Sequence, residues 1–323
     1  MPSLDRCAVS LPLALVVAVM LTACVSAPRD PAETQRAIQA RGEARDQALL
    51  ALAQQIDDRL AAAKALPPAE RLALKRGLRG DLQRFLDESV GSRHENKALY
   101  YLADWQFELG PADRIAVVEA LLDRLQLKEY PAFQGNGQDL RVLVRLRQGR
   151  AADARAIATA RAQAVPESRW LVDLCDFHAR IGKPAGRTQG KGLVGPDDPV
   201  TLPTAWQWWI FAGNVDEDLI FLVKRHLDAI TKAGLRDTVK VVVAAAAAQP
   251  LRAAALFNGL PDGHGANLVW IDANEAETWK TWRTSWGWPI LPCNALLGAG
   301  PDRRILAVQV TPEELGTLVG QKK

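Results

Sequence analysis

The chain has 323 residues and a formal net charge of +3 at pH 7, with its Lys and Arg residues dispersed along it. No basic block is interleaved with aromatic residues, which argues against a nucleic-acid partner. The length allows two domains, each with a sizeable core. The four cysteines and four histidines stand singly, without the spacing of a zinc site. We therefore predict no metal and no cofactor.

The first residues have the pattern of a targeting segment. An apolar run from Ala8 to Met20 follows Arg6 and ends in Leu21-Thr22-Ala23-Cys24. The run is too short for a comfortable membrane span and ends in small residues, as signal peptides do. The Leu-Thr-Ala-Cys end resembles a bacterial lipobox, which implies cleavage before Cys24 and lipid attachment to its sulfur. An ordinary secretory peptide and an uncleaved anchor are the alternatives.

The lipobox resemblance also implies a location. Each buried methylene of an acyl chain contributes about 0.8 kcal/mol, so two or three chains tether a protein durably. Val25, not Asp, follows Cys24. In many Gram-negative bacteria an Asp at that position retains lipoproteins at the inner membrane. We therefore expect residues 1–23 to be a signal peptide and the mature protein to face the periplasm, at the outer rather than the inner membrane.

Residues 24–182 are predicted to form an all-α domain. Ala, Leu, Arg, Glu and Gln dominate this region, and they are strong helix formers. Pro67-Pro68 and Gly110-Pro111 break the helical pattern, and Gly135-Asn136-Gly137 predicts a turn. The predicted helices span residues 31–66, 69–90, 95–109, 112–127, 138–148, 151–164 and 169–181.

One pair of these helices resembles a tetratricopeptide-like repeat. The shared pattern of apolar and small residues is carried by Leu140, Leu143, Leu146, Gly149, Ala152 and Ala156, with Pro166 after the second helix. Such pairs stack into solenoids with concave binding surfaces, although a solenoid needs about three repeats. A generic helical hairpin explains the same residues equally well.

The composition changes near Gly182, where a loop-rich stretch begins, and strand and helix patterns alternate after it. Predicted strands cover residues 206–212, 238–246, 267–271, 291–297 and 304–310. Predicted helices cover residues 217–233, 251–257, 273–285 and 312–318. Alternation of strands with helices implies parallel pairing, and the short turn between the last two strands implies an antiparallel hairpin. The fold class is thus an all-α domain followed by an α/β domain in residues 183–323.

The order of elements in this second half, and several short motifs, are shared with a known family. The motifs are Gly182-Lys183-Pro184-Ala185, Ile210-Phe211-Ala212, Trp286-Gly287-Trp288-Pro289-Ile290-Leu291-Pro292, Pro301-Asp302-Arg303-Arg304-Ile305 and Thr311-Pro312-Glu313-Glu314-Leu315. Together they resemble the periplasmic thioredoxin-like proteins of the TlpA type over residues 181–318. The resemblance implies a thioredoxin-like fold, with Pro292 as its cis-proline.

The chain departs from this family where the family does its chemistry. The positions that match its Cys-x-x-Cys pair are Val215 and Asp218. Dithiol chemistry needs a thiolate of low pKa and a second sulfur that resolves the mixed disulfide. Asp216, Glu217 and Asp218 suit the positive end of a helix dipole, which is a sufficient structural role. We predict no Cys-x-x-Cys redox activity and assign no catalytic residue.

Two cysteines remain beyond the lipobox, Cys175 and Cys293, and the sequence leaves three roles open for them. Both could be small buried apolar residues, as free cysteines often are. They could form a disulfide, which an exported setting permits. Cys293 directly follows Pro292, so it could also be a single reactive thiol on the thioredoxin substrate surface.

Tryptophans are concentrated in the second half. Trp279, Trp282 and Trp286 share one helical face, and core packing is the usual role of such a stripe. The alternative is a binding surface around Val215 and Pro292, for which the candidates are Trp209, Trp286 and Trp288. Tryptophans anchor many protein interfaces, so this surface would suit a peptide or another protein.

These patterns favour an exported, lipid-anchored protein that does not catalyse a reaction. Its redox-inactive thioredoxin-like domain would bind or scaffold a protein or peptide of the cell envelope. The alternative is an enzyme, a thiol-disulfide oxidoreductase that uses the single thiol of Cys293.

Overall fold

The computed structural model of the chain describes residues 31–110, 114–126, 133–186, 192–194, 205–247, 266–272, 276–287, 291–300 and 302–320. The chain divides into two compact units, Met1–Leu52 and Ala53–Lys323. The predicted signal peptide and the predicted lipidation site Cys24 lie outside the described residues. Within those residues, no helix combines the length and the apolar character that a membrane crossing requires.

The described residues before 182 are largely helical, as the composition predicts. The helices are α1 (Pro31–Ala63), α2 (Pro68–Gly77), α3 (Arg79–Ser89), α4 (Glu95–Leu109), α5 (Ile115–Gln126), α6 (Gln134–Arg147), α7 (Ala151–Ala164) and α8 (Trp170–His178), with a 3₁₀ turn at Pro166–Arg169. We call the residues from Ala53 to Gly182 the helical part.

Two details of the helical prediction are wrong. The segment predicted as one helix from 69 to 90 breaks at Leu78, whose N–H bonds to Lys75 O, three residues back, in a tight turn. The turn predicted at residues 135–137 lies instead in the first turn of α6. A methyl group on Gly137 would lie 2.6 Å from Leu125 Cδ2, so this glycine allows α5 and α6 to approach closely.

Small residues also shape the core between α6, α7 and α8. Ala154 and Ala158 of α7 are fully buried, and they pack with residues of α6 and α8. The other buried members of this cluster are Val142, Leu146, Leu171, Leu174 and Cys175. The arrangement is a packed set of neighbouring helices, and its likeness to a tetratricopeptide repeat stays a prediction.

The residues after 182, which we call the sheet part, form a mixed six-stranded sheet in the order β1-β4-β3-β2-β5-β6. Its strands are β1 (Gly192–Val194), β2 (Trp206–Ala212), β3 (Val239–Ala247), β4 (Ala266–Asp272), β5 (Cys293–Leu297) and β6 (Ile305–Val308). The helices are α9 (Glu217–Lys232), α10 (Ala276–Trp286) and α11 (Pro312–Gly320). The predicted helix at 251–257 lies outside the described residues.

Strand β2 is the centre of the sheet. It pairs in parallel with β3 and antiparallel with β5, and β5 pairs antiparallel with β6. Because both faces of β2 are covered, the strand is apolar along nearly its whole length rather than alternating. A central strand with a parallel neighbour reached through a helix, and an antiparallel hairpin on its other side, is the arrangement of the thioredoxin-like fold. The predicted fold class is confirmed.

The sheet has a core on each face. On one face, α9 and α11 cover Trp208 and Ile210 of β2. On the other face, Trp209 and Phe211 pack with Trp282 and Trp286 of α10. Phe177 of α8 is fully buried in this second core, so the helical part contributes directly to it.

The chain that joins the two parts is also tied to the sheet. Gly182 N–H donates to Ile305 O at 2.7 Å, and Ile305 N–H donates to Lys183 O at 2.9 Å. Arg147 at the end of α6 has its Nε 3.9 Å from Glu314 Oε1 of α11. The helical and sheet parts therefore share packing and polar contacts within one compact unit. The domain boundary expected near residue 182 stays a prediction.

Candidate functional site

The register of β2 and β5 brings the turn after β2 close to the proline that precedes β5. Phe211 is paired with Cys293, so the residues that follow β2 lie beside those that precede β5. A methyl group on Gly213 would lie 3.9 Å from Leu291 Cδ1. The peptide bond between Leu291 and Pro292 is cis. We call this place, formed by Gly213, Asn214, Leu291 and Pro292, the corner.

The corner is open to solvent at three of its residues. Gly213, Asn214 and Pro292 are exposed, and Leu291 is half-buried against the aromatic core. Val215 follows directly and packs its side chain against the core between β2 and α9. An apolar side chain that packs in this way offers neither a nucleophile nor a proton donor.

Two acidic residues after Val215, Asp216 and Asp218, have separate structural roles at the start of α9. Asp216 is the N-cap of α9, and its carboxylate accepts a hydrogen bond from Leu219 N–H at 2.9 Å. This contact satisfies one of the helix's unpaired backbone donors. Asp218 lies in the first turn of α9, where its negative charge suits the helix dipole.

The carboxylate of Asp218 is bound by a residue of the helical part. Arg71 of α2 donates from Nη2 to Asp218 Oδ1 at 3.1 Å and from Nη1 to Oδ2 at 3.3 Å. Arg71 Nη2 also donates to Leu66 O at 3.2 Å. The position predicted to match the family's second cysteine thus holds a carboxylate in a bidentate ion pair. Sequence reasoning missed Arg71, because it lies on another helix, far from Asp218 along the chain.

The two thiols are free and buried. Cys293 is 2% exposed and lies in the aromatic core, where burial raises the pKa of its thiol far above the ordinary value. Burial also raises the pKa of Cys175 to about 11. Neither thiol is a thiolate at neutral pH, and the thiolate is the form that attacks disulfides.

The tryptophans predicted as a binding surface are core residues where the structure describes them. Trp209 and Trp286 are both fully buried, with ring centroids 5.5 Å apart. Trp209 Nε1 donates to Gln207 Oε1 at 2.9 Å, which satisfies its buried polar atom. The surface prediction is therefore wrong for these two residues, because both side chains are enclosed in the core between the sheet and α10. Trp288 lies outside the described residues.

Other titratable groups near the sheet have structural roles. His226 of α9 is buried, with Nδ1 2.7 Å from Leu222 O and its ring against Trp208. Across the part of the chain that the structure describes, no three His, Cys, Asp or Glu side chains come together as a metal site would require. The corner thus offers three exposed residues without bulky side chains, and the nearby carboxylate of Asp218 in α9 is already paired with an arginine.

No protein-family model and no curated protein matches this chain. Solved structures do match. The thioredoxin domain of a thiol-disulfide oxidoreductase from Bacteroides vulgatus is 12% identical, with a TM-score of 0.30, over 44% of this chain and 96% of that one. A thioredoxin-like protein from Bacteroides caccae is 10% identical, with a TM-score of 0.40, over 80% of this chain and 95% of that one. The fold itself is defined by the strand order and register described above.

Proposed function

We propose that this protein is a non-catalytic binding module of the cell envelope, tethered to the membrane, outer rather than inner, through lipid on Cys24. Its sheet part is a TlpA-like domain without redox activity, and its corner is the place where a protein or peptide partner docks. The observation that carries the proposal is the chemistry at positions 215 and 218, where a packed valine and a clasped aspartate replace thiols.

Thiol chemistry is disfavoured at the remaining cysteines as well. Disulfide exchange requires a thiolate that a partner's disulfide can reach. Cys293 follows Pro292 in the chain, but its thiol is buried in the core behind the corner, where the charged form is strongly disfavoured. The oxidoreductase alternative would need the corner to open before any reaction.

The corner itself supports a protein or peptide as the partner. Gly213, Asn214 and Pro292 leave backbone groups approachable, because none of them carries a bulky side chain. Half-buried Leu291 adds an apolar contact beside them. An extended peptide recognises such a site through main-chain hydrogen bonds and a small number of side-chain contacts.

An insulin-reduction assay tests the redox part of the proposal. The wild-type protein should show no turnover above that of Cys293→Ser with dithiothreitol as reductant. Turnover that depends on the thiol and is abolished by Cys293→Ser would instead establish the oxidoreductase.

Crosslinking in intact envelopes tests the binding part. Asn214→Arg places a long charged side chain at the corner, whereas Gln163→Arg makes the same change on the exposed face of α7. A partner crosslinked by wild type and Gln163→Arg, but not by Asn214→Arg, would support docking at the corner. Equal crosslinking by all three proteins would exclude it. Cys24→Ser should separately abolish fatty-acid labelling and membrane association.

A further inference from the structure

Helix α2 lies on the surface and is fixed at its C-terminal end. None of its residues is buried, whereas Leu78, directly after it, is fully buried. Trp105 Nε1 donates to Lys75 O at 2.7 Å, and Lys75 Nζ lies 2.8 Å from Glu108 Oε2. These contacts hold the end of α2 against α4, so any movement of α2 would pivot near Leu78.

The other end of α2 meets the sheet part. There Arg71 bridges Leu66 O, in the turn before α2, and the carboxylate of Asp218 in α9. Arg71 Nε is buried and has no hydrogen-bond partner among the described residues. The guanidinium is thus packed over the first turn of α9, next to the corner in the chain.

We propose that α2 is a strap that closes over the start of α9 through the Arg71–Asp218 ion pair and opens by pivoting near Leu78. Closure shields the α9 side of the corner, and opening frees the Asp218 carboxylate and the start of α9 for a partner. The idea that α2 controls partner binding rests on the proposed function, whereas the opening of the strap does not.

The exposure of the pair shows why the closed form is only modestly favoured. The side chains of Arg71 and Asp218 are 33% and 57% exposed. Pairs this accessible to water favour contact by roughly two- to five-fold. No residue of α2 is fully buried, so its half-buried Leu72 and Leu74 add only part of the burial of a core side chain to that preference. Salt screens exposed charges, so the open fraction rises with ionic strength.

Hydrogen exchange of the full chain tests the strap without any partner. Arg71→Ala and Asp218→Ala should each raise the exchange rate of α2 amides by roughly two- to five-fold, because a ten-residue helix released from α9 unwinds in water and exposes its amides. Amides of β2 and α4 should keep their rates. High salt should speed α2 exchange in the wild type and leave both variants unchanged.

The matched control is Arg155→Ala, which removes an ion pair of similar exposure between α7 and α8. It should leave α2 exchange unchanged. Three results would overturn the strap: equal α2 exchange rates in wild type, Arg71→Ala and Asp218→Ala, an equal rise in α2 and β2, or the same rise in Arg155→Ala. If hydrogen exchange shows the strap opening as expected, but crosslinking shows no docking at the corner, only the proposed function is contradicted.

Discussion

The helical and sheet parts both have apolar cores, but they differ in the contacts that are added to those cores. In the helical part, Arg and Lys side chains reach from one helix to an acid on another. These pairs are Arg59–Asp81, Lys97–Asp57, Lys75–Glu108, Arg124–Glu95, Arg141–Asp123, Arg145–Glu119, Arg161–Asp139 and Arg155–Asp176. In the described residues of the sheet part, stacked and tilted aromatic rings fill one face, among them Trp209, Phe211 and Trp286.

The difference follows from geometry. Helices that meet through Ala154, Ala158 or Gly137 approach closely, so long charged side chains span the gap at the rim of each contact. On the sheet, α10 packs instead through large indole and phenyl rings. Apolar burial resists salt and pH, whereas exposed ion pairs respond to both. The two parts should therefore differ in how they respond to the same perturbations.

The largest effect is expected in the aromatic core. Trp286→Ala should lower the free energy of unfolding by about 3–5 kcal/mol, because it empties a fully buried site. Urea unfolding followed by circular dichroism measures this. Trp286→Phe keeps a ring in the same space and should cost clearly less. If Trp286→Ala lowered the free energy of unfolding as little as Trp286→Phe does, the assignment of Trp286 to the core would be contradicted.

The next effect concerns Asp104 of α4. Burial, and secondarily the charge of Glu108, raise the pKa of Asp104 to about 6 against the opposing effect of Lys75. A raised carboxyl pKa gives stability that is present below about pH 4 and lost as pH rises through about 6. This loss is on the order of 2 kcal/mol by about pH 7, allowing for the partial exposure of the group.

Asp104→Asn cannot ionise, so the difference in unfolding free energy between variant and wild type should change by that amount across the interval. Burial also lowers the pKa of His178 to about 4, so this histidine gives stability that is lost as pH falls from about 6.5 to 4. The comparison with Asp104→Asn removes the His178 contribution, because both proteins contain it. A difference that stays constant with pH would contradict the assignment.

The smallest expected effect is the difference in stabilisation between a partly buried ion pair and an exposed one. Lys97 and Asp57 are 21% and 32% exposed, and Tyr101 also donates to Asp57 at 2.7 Å. Lys97→Met should lower the free energy of unfolding by about 1 kcal/mol, between the values for exposed and buried pairs. Arg155→Ala should leave the urea midpoint unchanged within error, because its pair lies in water. If both variants lost the same free energy of unfolding, the exposure of an ion pair would not determine how much it stabilises the protein.

Several elements follow directly from local sequence. The continuous apolar run of β2 predicts a strand covered on both faces, and its observed bounds, Trp206–Ala212, are those predicted. Helix α9 is observed at Glu217–Lys232 against a prediction of 217–233, because an acidic start and an apolar stripe are both local signals. The absence of a cysteine pair at positions 215 and 218 can likewise be read without coordinates.

Other features depend on contacts between distant residues. The role of Gly137 is set by Leu125 of a neighbouring helix, so its sequence context, Gly-Asn-Gly, predicts a turn that does not form. Short strand β1, at Gly192–Val194, exists through its pairing with β4, within a stretch whose composition indicates a loop. Local patterns could not distinguish a tryptophan in the core from one on a surface either.

The sequence by itself determined most of the described strands and helices and the absence of cysteine at positions 215 and 218, because periodicity and residue identity are properties of short segments. Only the tertiary structure decided that Trp209, Trp286 and Cys293 are buried in the core, and that Arg71 forms an ion pair with Asp218. Burial and ion pairing depend on which distant side chains share a volume, and that is fixed when the helices and the sheet pack together.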